Sequence, residues 1–181
     1  VSDGVALVHN GIIENFLELR AELMAHGHAF ATQTDTEVVA HLVSSLVRQR
    51  IPPREAAATA VRRLHGAFAL AILFEGQDEL LVVARKGCPL AIGYGDNEMF
   101  VGSDALALAP LTERIQYLEE GDIAFLDRGG AVVIDADGRP VERPIRQTAM
   151  SGALIGKGSH RHFMEKEIFE QPAVLGDTLR S

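Results

Sequence analysis

The sequence has no tryptophan, two tyrosines and a single cysteine among its 181 residues, and aromatic residues make up only 6% of it. One thiol cannot close an intramolecular disulfide, so the fold must hold without cross-links. No apolar run approaches the roughly 18 residues that a membrane-spanning helix needs. The first residues show no basic stretch followed by an apolar core, which argues against a secretory leader. Glycine-rich loops of the kind that cradle phosphates are missing as well. Positive charge is in short supply, with 17 Lys and Arg against 25 Asp and Glu and a net charge of −8. That balance argues against a nucleic-acid partner or an anionic membrane surface and leaves small molecules or proteins. A cytoplasmic protein is expected. The chain begins at Val1 rather than Met, as expected of a piece of a longer reading frame.

What is present is ordinary for a globular domain: 47% hydrophobic and 23% charged residues, enough for one sizeable core. The most informative stretch lies near the start. Residues 5–8 form an apolar run of strand length that meets His9-Asn10-Gly11, and Asn-Gly readily takes positive φ. The spacing predicts a strand that halts there in a turn, exposing backbone N–H groups and one side-chain amide. Donors aimed at one point can stabilise the oxyanion of acyl transfer, although the same dipeptide also serves as a plain turn. About two dozen residues on, Thr34 and Glu37 have the spacing of a capping box that opens a helix. Asp35 then falls in the first helical turn. It either compensates the helix dipole or binds a cation such as the α-ammonium of an amino acid, and spacing does not choose between these roles.

Elsewhere the period of apolar residues predicts helices over 14–27, 35–48 and 54–64. In the first of these, Phe16, Leu17, Leu19, Leu23 and Met24 form the apolar face. After Gly66 the period becomes extended, with hairpins expected over 67–74 with 80–84 and over 90–94 with 99–101. Ser103 is expected to cap a short helix through Leu108. Strands are expected over 114–118, 122–127 and 131–135. Two groups of three antiparallel strands with helices outside imply an α+β fold of two stacked sheets. Residues 147–159 are small and polar and read as a linker, followed by a helix from His160 that Pro172 should end or kink.

Several residues invite assignments that their context does not support. Cys88 is the only thiol and follows Arg85-Lys86-Gly87, but one cysteine with cationic neighbours is not by itself a nucleophile. His26 and His28, and His160 and His162, lack further metal ligands at recognisable spacing, so no metal is expected. His9 is expected to support the adjacent donors rather than to act as an acid or base. Ser103-Asp104 has no histidine at motif-like spacing.

The residues also carry a resemblance. His9-Asn10-Gly11-Ile12-Ile13-Glu14-Asn15 and Thr34-Asp35-Thr36-Glu37-Val38 resemble motifs of the amidotransferases that use an N-terminal cysteine. Leu118-Glu119-Glu120-Gly121-Asp122-Ile123-Ala124 and the run from Arg161 through Glu165-Lys166-Glu167-Ile168-Phe169-Glu170-Gln171-Pro172 resemble the glutaminase domain of the glutamine–fructose-6-phosphate aminotransferases, or glucosamine-6-phosphate synthases. This resemblance implies a four-layer αββα N-terminal-nucleophile hydrolase sandwich missing its first strands. It implies a truncated glutaminase domain over 1–146, with 147–181 leading to a sugar-phosphate isomerase domain. It also implies oxyanion-hole roles for Asn10 and Gly11, capture of the glutamine α-amino group by Asp35, no cofactor, and a homodimeric parent enzyme. The family's nucleophile is an N-terminal cysteine that this chain does not contain, so the chain alone is expected to be inactive. Two other readings are a non-catalytic module with this fold, and the branch that aminates phosphoribosyl pyrophosphate. The segment 165–172 weighs against the second.

Overall fold

Apolar runs without polar interruption suit strands buried on both faces. The computed structural model, which describes residues 1–147 and 160–178, puts those runs at the centre of a six-stranded sheet. The chain opens with β1 (Val5–Ile13), α1 (Phe16–Ala25), α2 (Asp35–Arg48) and α3 (Pro53–Arg62). It continues through β2 (Gly66–Phe74), β3 (Leu81–Lys86), β4 (Ala91–Tyr94), β5 (Met99–Gly102), α4 (Ala105–Leu108) and β6 (Arg114–Tyr117). β7 (Ile123–Asp127), β8 (Gly130–Ile134), β9 (Pro140–Val141), β10 (Ile145–Gln147) and α5 (Phe163–Thr178) complete it. The larger sheet has the order β1-β2-β3-β7-β8-β9 and the smaller β10-β6-β4-β5.

Helices α1, α2 and α3 cover one face of the larger sheet. Val38, Val39, Leu42 and Val43 of α2 are buried there, and Ala56, Ala57 and Ala60 let α3 approach closely. The opposite face packs on the smaller sheet, where Ala69, Val83, Ala124 and Leu126 meet Leu90, Ile92 and Leu118. Beyond the smaller sheet, Ala105 and Leu108 of α4 close over Ala91 and Ile115. The layers therefore run helix, sheet, sheet, helix, an α+β sandwich.

Five expectations need correction. The strands divide six and four rather than three and three, because β7 pairs with β3 across the intervening hairpin instead of extending β6. The first strand does not halt at Asn10-Gly11. It runs on to Ile13, with Asn10 opposite Ala69 and Gly11 opposite Phe68, because Ile12 and Ile13 resume apolar pairing with β2. Asp104, not Ser103, caps α4 by accepting from the Ala107 N–H at 2.9 Å. On α1, Leu19 and Leu23 are buried but Leu17 and Met24 face solvent. Finally, α5 does not end before Pro172 but runs through it to Thr178, so of the two expected outcomes, an end or a kink, the end is overturned. β10 reaches Gln147, one residue into the expected linker, and the rest of that linker lies outside the described residues.

Candidate active site at the open edge of the first strand

β1 is an edge strand among the described residues, so half of its backbone groups face away from the sheet. The ladder fixes which half. Glu14 N–H donates to the His65 carbonyl and Glu75 N–H to the Gly4 carbonyl, both at positions that continue the β1–β2 register. Antiparallel pairs alternate between bonded and non-bonded, so even-numbered residues of β1 bond to β2 and odd-numbered ones point their N–H outward. Gly11 and Ile13 thus present donors along the same open edge. Gly11 takes φ +111°, and a Cβ there would lie 2.1 Å from the Ala67 carbonyl oxygen, so only glycine fits this close approach to β2.

The N-terminus of α2 closes on that edge. Thr34 caps it by accepting from the Glu37 N–H, and Asp35 Oδ1 accepts from the Thr36 N–H at 2.8 Å. Asp35 Oδ2 accepts from the Ile13 N–H at 3.0 Å, so the carboxylate spans helix and strand. Its side chain is 21% exposed. A carboxylate has about four lone-pair sites, so room remains for a cationic donor. Asp35 and Gly11 therefore share one edge, separated along β1 by two residues. The Asn10 side chain lies on the other face of the strand. It lines a cleft of about 150 Å³ between the sheets, with Val8, Leu90, Val101 and Ser103 around it. The structure brings Gly11 and Asp35 to one edge and puts Asn10 in the adjoining cleft on the other face of the strand.

His9 sits behind this edge with its side chain 2% exposed. Its Nδ1 lies 3.1 Å from Thr36 Oγ1 and 3.6 Å from Asp35 Oδ1. Burial pushes its pKa below the ordinary 6.5 despite the opposing pull of Asp35, so the ring is neutral at pH 7. A neutral imidazole that ties the strand to the helix start holds the edge in place.

Glu37 does not complete the capping box. It turns instead to the preceding loop, accepting from the Ala31 N–H at 2.7 Å and from the Thr32 N–H and hydroxyl at 2.6 Å. Those donors, the Thr32 hydroxyl first, hold its pKa down to about 2. A carboxyl lowered from 4.5 contributes stability that is present above that value and lost as pH falls towards 2. Between pH 5 and 2 the melting temperature of the wild type is expected to fall more steeply than that of Glu37→Gln. Parallel curves in thermal melts across that range would show that these hydrogen bonds contribute nothing.

The run 118–122 does structural work away from the edge. The Glu120 carboxylate accepts from the Gly87 N–H at 3.0 Å, and Arg85 donates to the Leu118 carbonyl at 2.8 Å. Asp122, fully buried, receives both arms of the Arg143 guanidinium at 2.9 Å. Cys88 packs among the residues between the sheets, and the neighbouring Gly87 bridges Phe68 on the side of β2 away from β1. β2 thus stands between this thiol and the open edge. The histidine pairs also separate by structure. His26 Nδ1 meets the Glu22 carbonyl in its own helix, while His28 Nδ1 lies 3.0 Å from Nδ1 of His41. His160 stacks on Phe169. The Arg143–Asp122 pair and the meeting of His28 with His41 carry no spacing signal, since each joins segments that only the tertiary fold brings together.

A family model described as a glutamine amidotransferase domain matches residues 1–110. Glutamine–fructose-6-phosphate aminotransferase (isomerizing) of Mesorhizobium japonicum is 58% identical over 98% of this chain and 29% of its own length. That of Zymomonas mobilis is 55% identical over 100% of the chain and 30% of its own length. The chain thus spans about 30% of the curated relatives it matches. Among solved structures, a glutamine phosphoribosylpyrophosphate amidotransferase from B. subtilis superposes with a TM-score of 0.63 at 26% identity, covering 77% of this chain and 31% of that one. A class-II glutamine aminotransferase domain protein from Silicibacter pomeroyi shares the fold with a TM-score of 0.57 at 20% identity, covering 78% of this chain and 70% of that one. The chain belongs to the glutamine amidotransferase domain family and has its N-terminal-nucleophile hydrolase fold.

Proposed function

We propose that this chain is the glutaminase portion of a longer glutamine–fructose-6-phosphate aminotransferase. L-glutamine is hydrolysed here, and the ammonia converts fructose 6-phosphate to glucosamine 6-phosphate in a sugar-phosphate isomerase domain. The reading rests above all on the placing of the Gly11 N–H and the Asp35 carboxylate on one open strand edge. The thiolate of the N-terminal cysteine that the family resemblance implies for the longer enzyme adds to the glutamine side-chain amide, the carbonyl oxygen takes the negative charge, and collapse of that intermediate releases ammonia and leaves a thioester that water hydrolyses to glutamate. Gly11 donates to that oxygen through its backbone and Asn10 through its amide; removing one such donor typically costs about 3–4 kcal/mol of transition-state stabilisation. Asp35 holds the α-ammonium of glutamine by charge-assisted hydrogen bonds. The nucleophile is not Cys88, which β2 separates from this edge.

A homodimeric parent and a cytoplasmic setting go with this reading. Residues 1–146 form the glutaminase portion and 147–181 lead towards the isomerase domain. Met164, Ile168, Phe169 and Leu175 of α5 are all exposed, which suits a segment that packs on the remainder of a longer protein.

In the full-length enzyme, Asp35→Asn is expected to raise the glutamine KM roughly tenfold or more, the size of one lost charge-assisted contact, with kcat little changed. The 181-residue chain assayed alone should give background glutaminase, unaffected by Cys88→Ser. An unchanged KM would remove Asp35 from the site. Turnover by the chain that Cys88→Ser abolishes would assign the nucleophile to Cys88 and overturn the mechanism.

A further inference from the structure

We propose that Asp3, His28 and His41 form a binding site for a zinc-like divalent cation, separate from the glutamine site. The three come from different parts of the chain: the turn before β1, the loop after α1 and the body of α2. Their ligand atoms all lie within 4.8 Å of one another. The two imidazoles converge through like nitrogens, with Nδ1 of His28 3.0 Å from Nδ1 of His41. Zn–N bonds of about 2.0–2.1 Å at a tetrahedral angle place two ligand nitrogens roughly 3.3 Å apart, within a few tenths of an ångström of this pair.

The surroundings fit a metal-holding imidazole. His41 is 7% exposed, so its ring is fixed by packing against the Phe30 ring, 4.4 Å between centroids. Its outer nitrogen, Nε2, lies 3.7 Å from Glu37 Oε1, the position of the carboxylate that commonly orients a metal-bound histidine from behind. Glu37 is itself anchored by the loop donors of residues 31–32. Ser2 Oγ lies 3.0 Å from His41 Nδ1, beside the space the ion would fill. Asp3 Oδ2 accepts from Arg48 and from the Ser2 hydroxyl, and Oδ1 has no hydrogen-bond partner among the described residues. Arg48 is 55% exposed, so it can withdraw towards solvent when a cation arrives.

Two imidazoles, one carboxylate and a water make a four-coordinate set that suits zinc and excludes calcium or magnesium, which take oxygen ligands. Such an ion would tie the approach to β1, the loop leading to Asp35, and α2 together. It would stabilise the fold by mass action.

The test uses the full-length enzyme stripped of metal, titrated with zinc chloride by equilibrium dialysis and followed by thermal unfolding. About one zinc per chain and a rise in melting temperature are expected, with cobalt(II) giving the visible absorption of a tetrahedral site. His28→Asn, at a partly buried loop position, should lower zinc affinity by at least about tenfold and abolish both the thermal shift and the cobalt band. His160→Asn/His162→Asn should leave all three unchanged. Equal zinc affinity in His28→Asn, loss of binding in the His160/His162 variant, or far less than one ion per chain would each overturn the proposal. Glutaminase readouts do not enter, so the site can fail while the proposed function stands, and the reverse.

Discussion

Gly11→Ala is expected to destabilise the chain by about 2–4 kcal/mol, the range of a forced backbone strain with a steric overlap added. At φ +111° an L-residue is already in a region it rarely adopts. The added Cβ would also meet backbone atoms: 2.1 Å to the Ala67 carbonyl oxygen and 2.8 Å to the Phe68 Cα. No side chain can swing aside to relieve this, so β1 must draw away from β2 or rotate. Either movement turns the outward N–H of Gly11, and in the full-length enzyme glutaminase activity should fall with stability. Gly27→Ala provides the comparison. Gly27 also has positive φ, at +85°, but a Cβ there meets nothing within 4 Å, so its cost should be the left-handed penalty of about 1–2 kcal/mol. Urea melts of the two variants measure the difference. A Gly11→Ala loss no larger than that of Gly27→Ala would mean that the strand relaxes freely, and the fixed direction of the edge donor would no longer hold.

That glycine also shows where the sequence misleads. Asn-Gly promises positive φ, and Gly11 has it, yet the strand continues, with Gly66 in β2, opposite Ile13, also at positive φ and each glycine lying close to a carbonyl of the other strand. Such reciprocal accommodation joins residues 55 positions apart, beyond the reach of a dipeptide rule. Local period was enough to locate α2 and α3, and the uninterrupted apolar runs of β2 and β3, buried on both faces, located that strand pair. It could not show that β7 returns to β3, which decides how the strands divide between the sheets. The capping pattern at Thr34 and Glu37 was half legible. Thr34 caps as its spacing implies, whereas Glu37 finds nearer donors in Ala31 and Thr32. Asp35 was visible as a first-turn carboxylate, but its bond to Ile13 depends on how α2 docks against β1.

The second large effect concerns Arg143, which no motif marks. Asp122 is fully buried at the start of β7 and receives Arg143 Nε and Nη2, each at 2.9 Å, with the Glu119 N–H as a third donor at 2.7 Å. Arg143 Nη1 reaches the Glu119 carboxylate at 2.7 Å as well. Arg143→Ala leaves the buried carboxylate with one donor, a loss expected to be about 3–5 kcal/mol. Arg143→Lys keeps the charge but not the planar fork, so part of that loss should remain. Replacing both partners by apolar residues, as in Asp122→Leu/Arg143→Met, should recover much of the stability, because no unpaired charge is then buried. Chemical denaturation of the four proteins tests this ordering. Equal stability of Arg143→Ala and the wild type would show that solvent reaches Asp122. The pair also bears on the candidate site. It fixes the turn that carries Glu120, Glu120 holds the Gly87 N–H, and Gly87 bridges Phe68, the residue opposite Gly11. The buried charge pair thus supports, from the far side of β2, the strand against which the edge donor is set.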